Sequence, residues 1–78
     1  MIDVLLEGGP HDGKKGHYYG PDEQTVRTLY VTDTQVAYYS SEPDSAFTPG
    51  TQTLVYRRAG MVPDDVVVFV YGGKADAL

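Results

Sequence analysis

The chain has 78 residues, a formal net charge of -5 and no cysteine. That length holds one domain, and the missing thiols exclude disulfides and every thiolate zinc site together. The acidity disfavours nucleic acid as a partner, because a phosphate backbone is bound by clustered Lys and Arg, and the six cations here are scattered along the sequence.

Ile2, Val4 and Leu6 alternate with Asp3 and Glu7, the period of a half-buried strand. Its opening residues lack a basic leader segment and are too short an apolar run for a signal peptide. No run approaches the roughly 20 apolar residues of a membrane span, so a soluble protein without membrane contact is expected. Gly8, Gly9, Pro10, His11, Asp12 and Gly13 then break the chain, and a second extended segment occupies 15–19. Pro21 followed by Asp22 and Glu23 fits a helix start, but the β-rich sequence after it allows one helical turn at most.

Residues 25–32 are rich in β-branched and aromatic side chains, which predicts a strand with Val26 and Tyr30 on one face and Leu29 and Val31 on the other. Asp33 and Thr34 suggest a tight hairpin into a strand at 35–39. Residues 40–50 form the longest irregular stretch, with Phe47 as its one large apolar residue, expected to plug against the core. A strand at 51–58 has Leu54 and Tyr56 on one face and Val55 between them. After a turn through Gly60 and Pro63, the uninterrupted apolar run 66–71 reads as a strand buried on both faces. Gly72 and Gly73 end it.

About six short strands with little helix predict an all-β, mostly antiparallel fold, a small sheet rolled into a β-barrel or packed as a sandwich. Residues 1–73 make the single β domain and 74–78 a loose tail. So short a chain buries only about 60% of the surface its unfolded form exposes. Small folds of this kind lean on disulfides, metals or association, so a homo-oligomer stays open.

The turn at 8–13 has two readings. Gly8, Gly9 and Gly13 can supply the mixed-hand backbone of an anion-binding nest. The same residues build a tight β-connection, with Gly providing positive φ and Asp bonding the turn backbone. It lacks the helix and Lys of a phosphate-binding loop. His11, Asp12 and His17 are the metal-capable cluster, at spacings that match no rigid ligand motif, and no metal or other cofactor is expected. Ser40, Ser41 and Ser45 lie among turn formers with no cue tying them to a histidine, and Asp64 and Asp65 are turn neighbours that face water. No catalytic residues are assigned, and the chain is read as a non-enzyme.

Seven tyrosines remain to be explained. In the consecutive pairs Tyr18–Tyr19 and Tyr38–Tyr39 one ring of each must leave the core if the strand is regular. Outward tyrosines suit a binding surface, and Tyr18, Tyr39, Arg57 and Arg58 are its candidates. Cross-strand packing is the competing reading.

The Gly-Gly-Pro-His-Asp-Gly turn at 8–13, the Tyr56, Arg57, Arg58 segment and the closing Val-Phe-Val-Tyr-Gly run at 68–72 resemble those of small proteins of actinobacteria and their phages. The resemblance carries no catalytic residues. It implies a phage or prophage origin, and a place in the bacterial host cytoplasm or on the virion. The expected function is a non-enzymatic interaction module that binds a host or phage protein. A small capsid-decorating or tail-associated subunit is the first alternative, and an oligomeric small-ligand binder the second.

Overall fold

The computed structural model describes residues 1–33, 38–40 and 52–74. They form five strands: β1 (Ile2–Glu7), β2 (Lys15–Tyr18), β3 (Thr28–Thr32), β4 (Thr53–Met61) and β5 (Val66–Lys74). The order across the sheet is β2-β1-β5-β4-β3, curled into a half-barrel. The fold is all-β as expected, and it is one curled sheet, not two packed layers. Three of the four strand pairings are antiparallel. The exception lies at the centre, where β1 and β5 run parallel from Asp3↔Val66 to Glu7↔Val70.

Period-2 alternation decides what each strand buries. Val4 and Leu6 of β1 share the concave side with Val67 and Phe69 of β5, Leu54 and Tyr56 of β4, Leu29 and Val31 of β3, and Tyr18 of β2. Val26, which precedes β3, adds to the same core. Full burial of one such side chain stabilises the fold by about 1.5–3 kcal/mol. The opposite, outer face carries the alternate residues: Asp3, Leu5 and Glu7 on β1, Val66, Val68 and Val70 on β5, Val55 and Arg57 on β4, and Thr28 and Tyr30 on β3. Val68 is buried even there, flanked by strands on both sides, whereas Val70 is 40% exposed. The run 66–71 is thus a central strand, buried on its inner face and only partly on its outer one.

Several local expectations need correction. The strand expected at 25–32 begins at Thr28. Val26 therefore lies outside the pleat and joins Leu29 in the core, instead of sharing a face with Tyr30. The helical turn falls at Gly9–His11, where Pro10 presets φ, while residues 21–25 make hydrogen-bonded turns. β4 runs on to Met61 through a bulge at Ala59, and β5 continues through Gly72 and Gly73 to Lys74. The Phe47 plug, most of the strand at 35–39 and residues 75–78 of the tail lie outside the described residues.

A two-residue turn at Asp33–Thr34 would pair Thr32 with Gln35 and so Tyr30 with Ala37. The structure instead pairs Tyr30 with Tyr39. A shift of two preserves the faces. Tyr39 therefore sits beside Tyr30 on the outer side, and Tyr38 packs against the core. The Tyr38 ring then reaches Gly16 of β2, at the far edge of the sheet, so closely that a Cβ on Gly16 would lie 2.7 Å from the Tyr38 hydroxyl. Residues 38–40 thus draw the two edges of the half-barrel together.

The β4–β5 connection turns on Asp65, whose φ of 64° is left-handed. Its amide donates to the Val62 carbonyl at 3.1 Å, and the Val62 amide donates to Val66 at 3.0 Å. Aspartate tolerates this conformation better than branched side chains do. Asp65→Val is expected to cost about 1–2 kcal/mol in urea unfolding, with Asp65→Gly at least as stable as the parent. Equal losses for both substitutions would contradict the role of φ.

Candidate functional site

The turn at 8–13 is built on three glycines of positive φ: Gly8 at 80°, Gly9 at 67° and Gly13 at 82°. Its backbone amides bond inward. Gly8 N–H donates to Asp12 Oδ1 at 2.7 Å, Asp12 N–H to the Gly9 carbonyl at 3.2 Å, and Gly13 N–H to Leu6 at 2.8 Å. Asp12 therefore supplies the anion that a nest would otherwise take from outside. These contacts favour the structural reading of the turn.

Its anchor is Tyr56, fully buried in the core. The Tyr56 hydroxyl donates to the Gly8 carbonyl at 2.8 Å and accepts from the His11 amide at 3.2 Å. Tyr71 packs against Tyr56 with ring centroids 5.4 Å apart. A Cβ on Gly9 would lie 2.5 Å from the Tyr71 ring, so glycine is required there by space as well as by φ. His11 is buried, and its Nε2 lies 2.8 Å from the Thr32 carbonyl, which can only accept, so Nε2 carries the proton. The turn is thereby tied to both β4 and the end of β3.

The expected trio of His11, Asp12 and His17 is not brought together around a common point. His11 serves Thr32, Asp12 serves Gly8, and His17 on β2 faces Asp3 across the β1–β2 pair, with Nδ1 2.6 Å from Oδ1. Among the described residues no group of three or more His, Cys, Asp or Glu is placed to hold a metal ion. Asp3 and His17 do line a shallow depression of about 220 Å³ together with Val4, Lys15, Gly16 and Val66. Both side chains are about half exposed. Ser41 and Ser45 lie outside the described residues, and the Ser40 hydroxyl bonds to Tyr18 and Asp22.

In both tyrosine pairs the first ring turns inward and the second outward. Tyr18, expected on a binding surface, is 3% exposed and belongs to the core, while Tyr19 is 71% exposed. β2 pairs Tyr18 with Ile2, and this register puts Tyr18 on the concave side. Its hydroxyl donates to Asp22 Oδ1 at 2.9 Å. Tyr39 lies on the outer face beside Tyr30, and Arg57 is exposed on that face next to Val70. Arg58 is the second correction. It sits opposite Phe69, and its guanidinium donates to the Gln24 and Val26 carbonyls at 3.2 and 3.3 Å, capping the segment that leads into β3. The outer face thus keeps Tyr39 and Arg57 and adds Tyr30 and Val70. The apolar run 66–71 pointed to a buried Val70, so its exposure was not legible, and nothing local in the sequence marked Tyr30 as outward.

The chain matches no protein family, no curated protein and no solved structure. Among the described residues no helix is long and apolar enough to cross a membrane.

Burial disfavours the ionised form of three phenols and raises the pH at which each loses its proton. It holds Tyr18 above the usual value of 10.0, with a hydrogen bond from Ser40 opposing. Tyr38 is raised by burial and by its nearness to Tyr56. Tyr56 is raised by burial, against the opposing hydrogen bond from His11. The Asp22 carboxyl is lowered by hydrogen bonds from Tyr18 and Ser40.

Two predictions follow from these contacts. Tyr56→Phe removes both bonds of the hydroxyl and strands the buried His11 amide, at a cost of about 1–3 kcal/mol in urea unfolding; a loss near zero would contradict the anchor. The raised phenols keep their protons in the folded state after the unfolded chain has released them. Their contribution to stability is therefore complete below about pH 10 and is lost as pH rises through the folded values. In a spectrophotometric titration, three of the seven tyrosines should ionise late and together with loss of the β circular dichroism signal. Seven phenols titrating as one ordinary wave with the sheet intact would contradict it.

Proposed function

We propose that this chain is a non-enzymatic protein-interaction module, phage- or prophage-encoded, that binds a host or phage protein through the outer face of its sheet. The observation that carries the reading is the patch of outward side chains where β3, β4 and β5 meet. Tyr39 and Tyr30 stand side by side in one row, in which Val55 is the β4 neighbour of Tyr30, and Arg57 and Val70 pair in the adjacent row beside Thr28. Among the described residues no second layer covers this face. Tyrosine and arginine are enriched at interface hot spots, tyrosine because it contributes large area at low rotamer cost and arginine because its planar guanidinium offers several donors.

Support for a non-catalytic role comes from the polar groups that catalysis would need. The His11 imidazole is spent on a backbone carbonyl, and the Ser40 hydroxyl bonds to Tyr18 and Asp22. The exposed Asp3–His17 pair is accompanied by no serine, threonine or cysteine among the residues lining its depression. The origin and the cytoplasmic or virion location rest on the resemblance of the 8–13 turn and the two terminal strands.

The test uses tagged chain in lysate of phage-infected and uninfected actinobacterial cells, with Tyr39→Ser and Tyr30→Ser beside the parent. One stoichiometric protein should be captured by the parent and weakened about tenfold or more by either substitution, with the melting temperature of the chain little changed. Capture that is insensitive to both variants would overturn the assigned surface. Co-sedimentation with purified particles would move the chain to the virion-subunit reading.

A further inference from the structure

We infer that the β5-centred part of the outer face is a self-association surface, on which a second copy of this chain packs with its β5 over the first. Two rows of residues define this surface, independently of the function proposed above.

The first row is Glu7–Val70–Arg57, fixed by the pairings Glu7↔Val70 and Arg57↔Val70. Glu7 and Arg57 are both exposed, and neither has an ion-pair partner among the described residues. The second row is Leu5–Val68–Gly60, fixed in the same way by Leu5↔Val68 and Gly60↔Val68. In both rows β5 carries valine and the two flanking strands carry opposites: acid against base in one, a large apolar residue against no side chain in the other.

A two-fold axis running along β5 in the plane of contact keeps the height of each row and exchanges its two flanks. Such an isologous arrangement sets the exposed Val70 of one copy over Val70 of the other, with the buried Val68 lying beneath the contact. Glu7 of each copy then faces Arg57 of the other, and Leu5 of each copy faces Gly60 of the other. Sheets packed face to face lie about 10 Å apart, a gap that glutamate and arginine span between them. A two-fold axis across the strands inverts the height of the rows: placed on the first row it sets Glu7 against Glu7 and Arg57 against Arg57, and placed between the rows it sets Glu7 against Leu5, so neither position pairs the opposite charges.

Gly60 carries the second, independent observation. Its φ lies outside the left-handed region, and a Cβ placed on it would meet nothing within 4 Å. Neither backbone conformation nor packing within one chain requires glycine there, and glycine in a strand interior is otherwise unfavourable. An empty position opposite Val68 is what an incoming Leu5 needs.

The patch is three strands wide, roughly 14 Å on a side, which is smaller than the roughly 800 Å² per partner of a standard stable interface. The pair is therefore a reversible one, formed at micromolar concentrations and above.

Sedimentation equilibrium of the full chain from about 10 to 500 µM tests it. The weight-average mass should climb from one 8.5 kDa chain toward two and stop there. Gly60→Leu should leave the circular dichroism and melting temperature at or above those of the parent and weaken pairing about tenfold or more. Glu7→Arg or Arg57→Glu alone should weaken it similarly, and Glu7→Arg with Arg57→Glu together should restore it. Tyr39→Ser should leave the mass curve unchanged, because Tyr39 lies outside both rows, although Arg57 and Val70 are shared with the proposed partner site. A chain that stays monomeric throughout, a Gly60→Leu variant that pairs like the parent, or a double charge exchange that fails to recover pairing would each overturn the inference.

Discussion

One hydroxyl holds the molecule's least regular segment to its most regular one. The Tyr56 phenol lies wholly inside the core, donates to Gly8 and accepts from the amide of His11. Both partners belong to a turn that would otherwise bury peptide groups without hydrogen bonds, at a cost of about 1–3 kcal/mol each. Because β4 is paired on both sides, by β3 and by β5, a turn fixed to Tyr56 is fixed to most of the sheet. His11 extends the same tie to the end of β3 through Thr32. A core of about a dozen apolar side chains thus organises the turn as well as the strands.

This arrangement explains why the distinctive Gly-Gly-Pro-His-Asp-Gly sequence reads so easily as a site. Its glycines, imidazole and carboxylate are the groups that bind anions and metals elsewhere. Here they satisfy one another and the sheet: Asp12 answers Gly8, Tyr56 answers Gly8 and His11, and Tyr71 fills the space that a side chain on Gly9 would need. The outer face lies apart from this network, and the recognition surface proposed for Tyr39, Tyr30, Arg57 and Val70 sits there.

The strands were legible because alternation and burial are local properties of the sequence. Ile2 to Glu7 and the Leu54–Tyr56 face followed from spacing, and the apolar run at 66–71 marked a strand whose outer face proved only partly buried. Long-range placement was not. Nothing in residues 2–7 says that their neighbour is β5 in parallel, since that pairing depends on where the chain returns after β3 and β4. The inward turn of Tyr18 reflects its pairing with Ile2, and the inward role of Arg58 reflects carbonyls more than 30 residues away in sequence. The two-residue displacement between Tyr30 and Tyr39 was equally hidden, because local residues suggest a turn type without fixing loop length. Of the four outward candidates, Tyr39 and Arg57 keep their place and Tyr18 and Arg58 do not.

The Tyr56 hydroxyl welds the turn at 8–13 to the sheet core. Amide hydrogen exchange followed residue by residue by NMR tests this tie. The His11 amide, although it lies in a loop, should exchange only through global unfolding, with the same protection free energy as Leu6 and Tyr56 in the strands. Exchange of the His11 amide at rates typical of an open loop, while those strand amides stay protected, would contradict it.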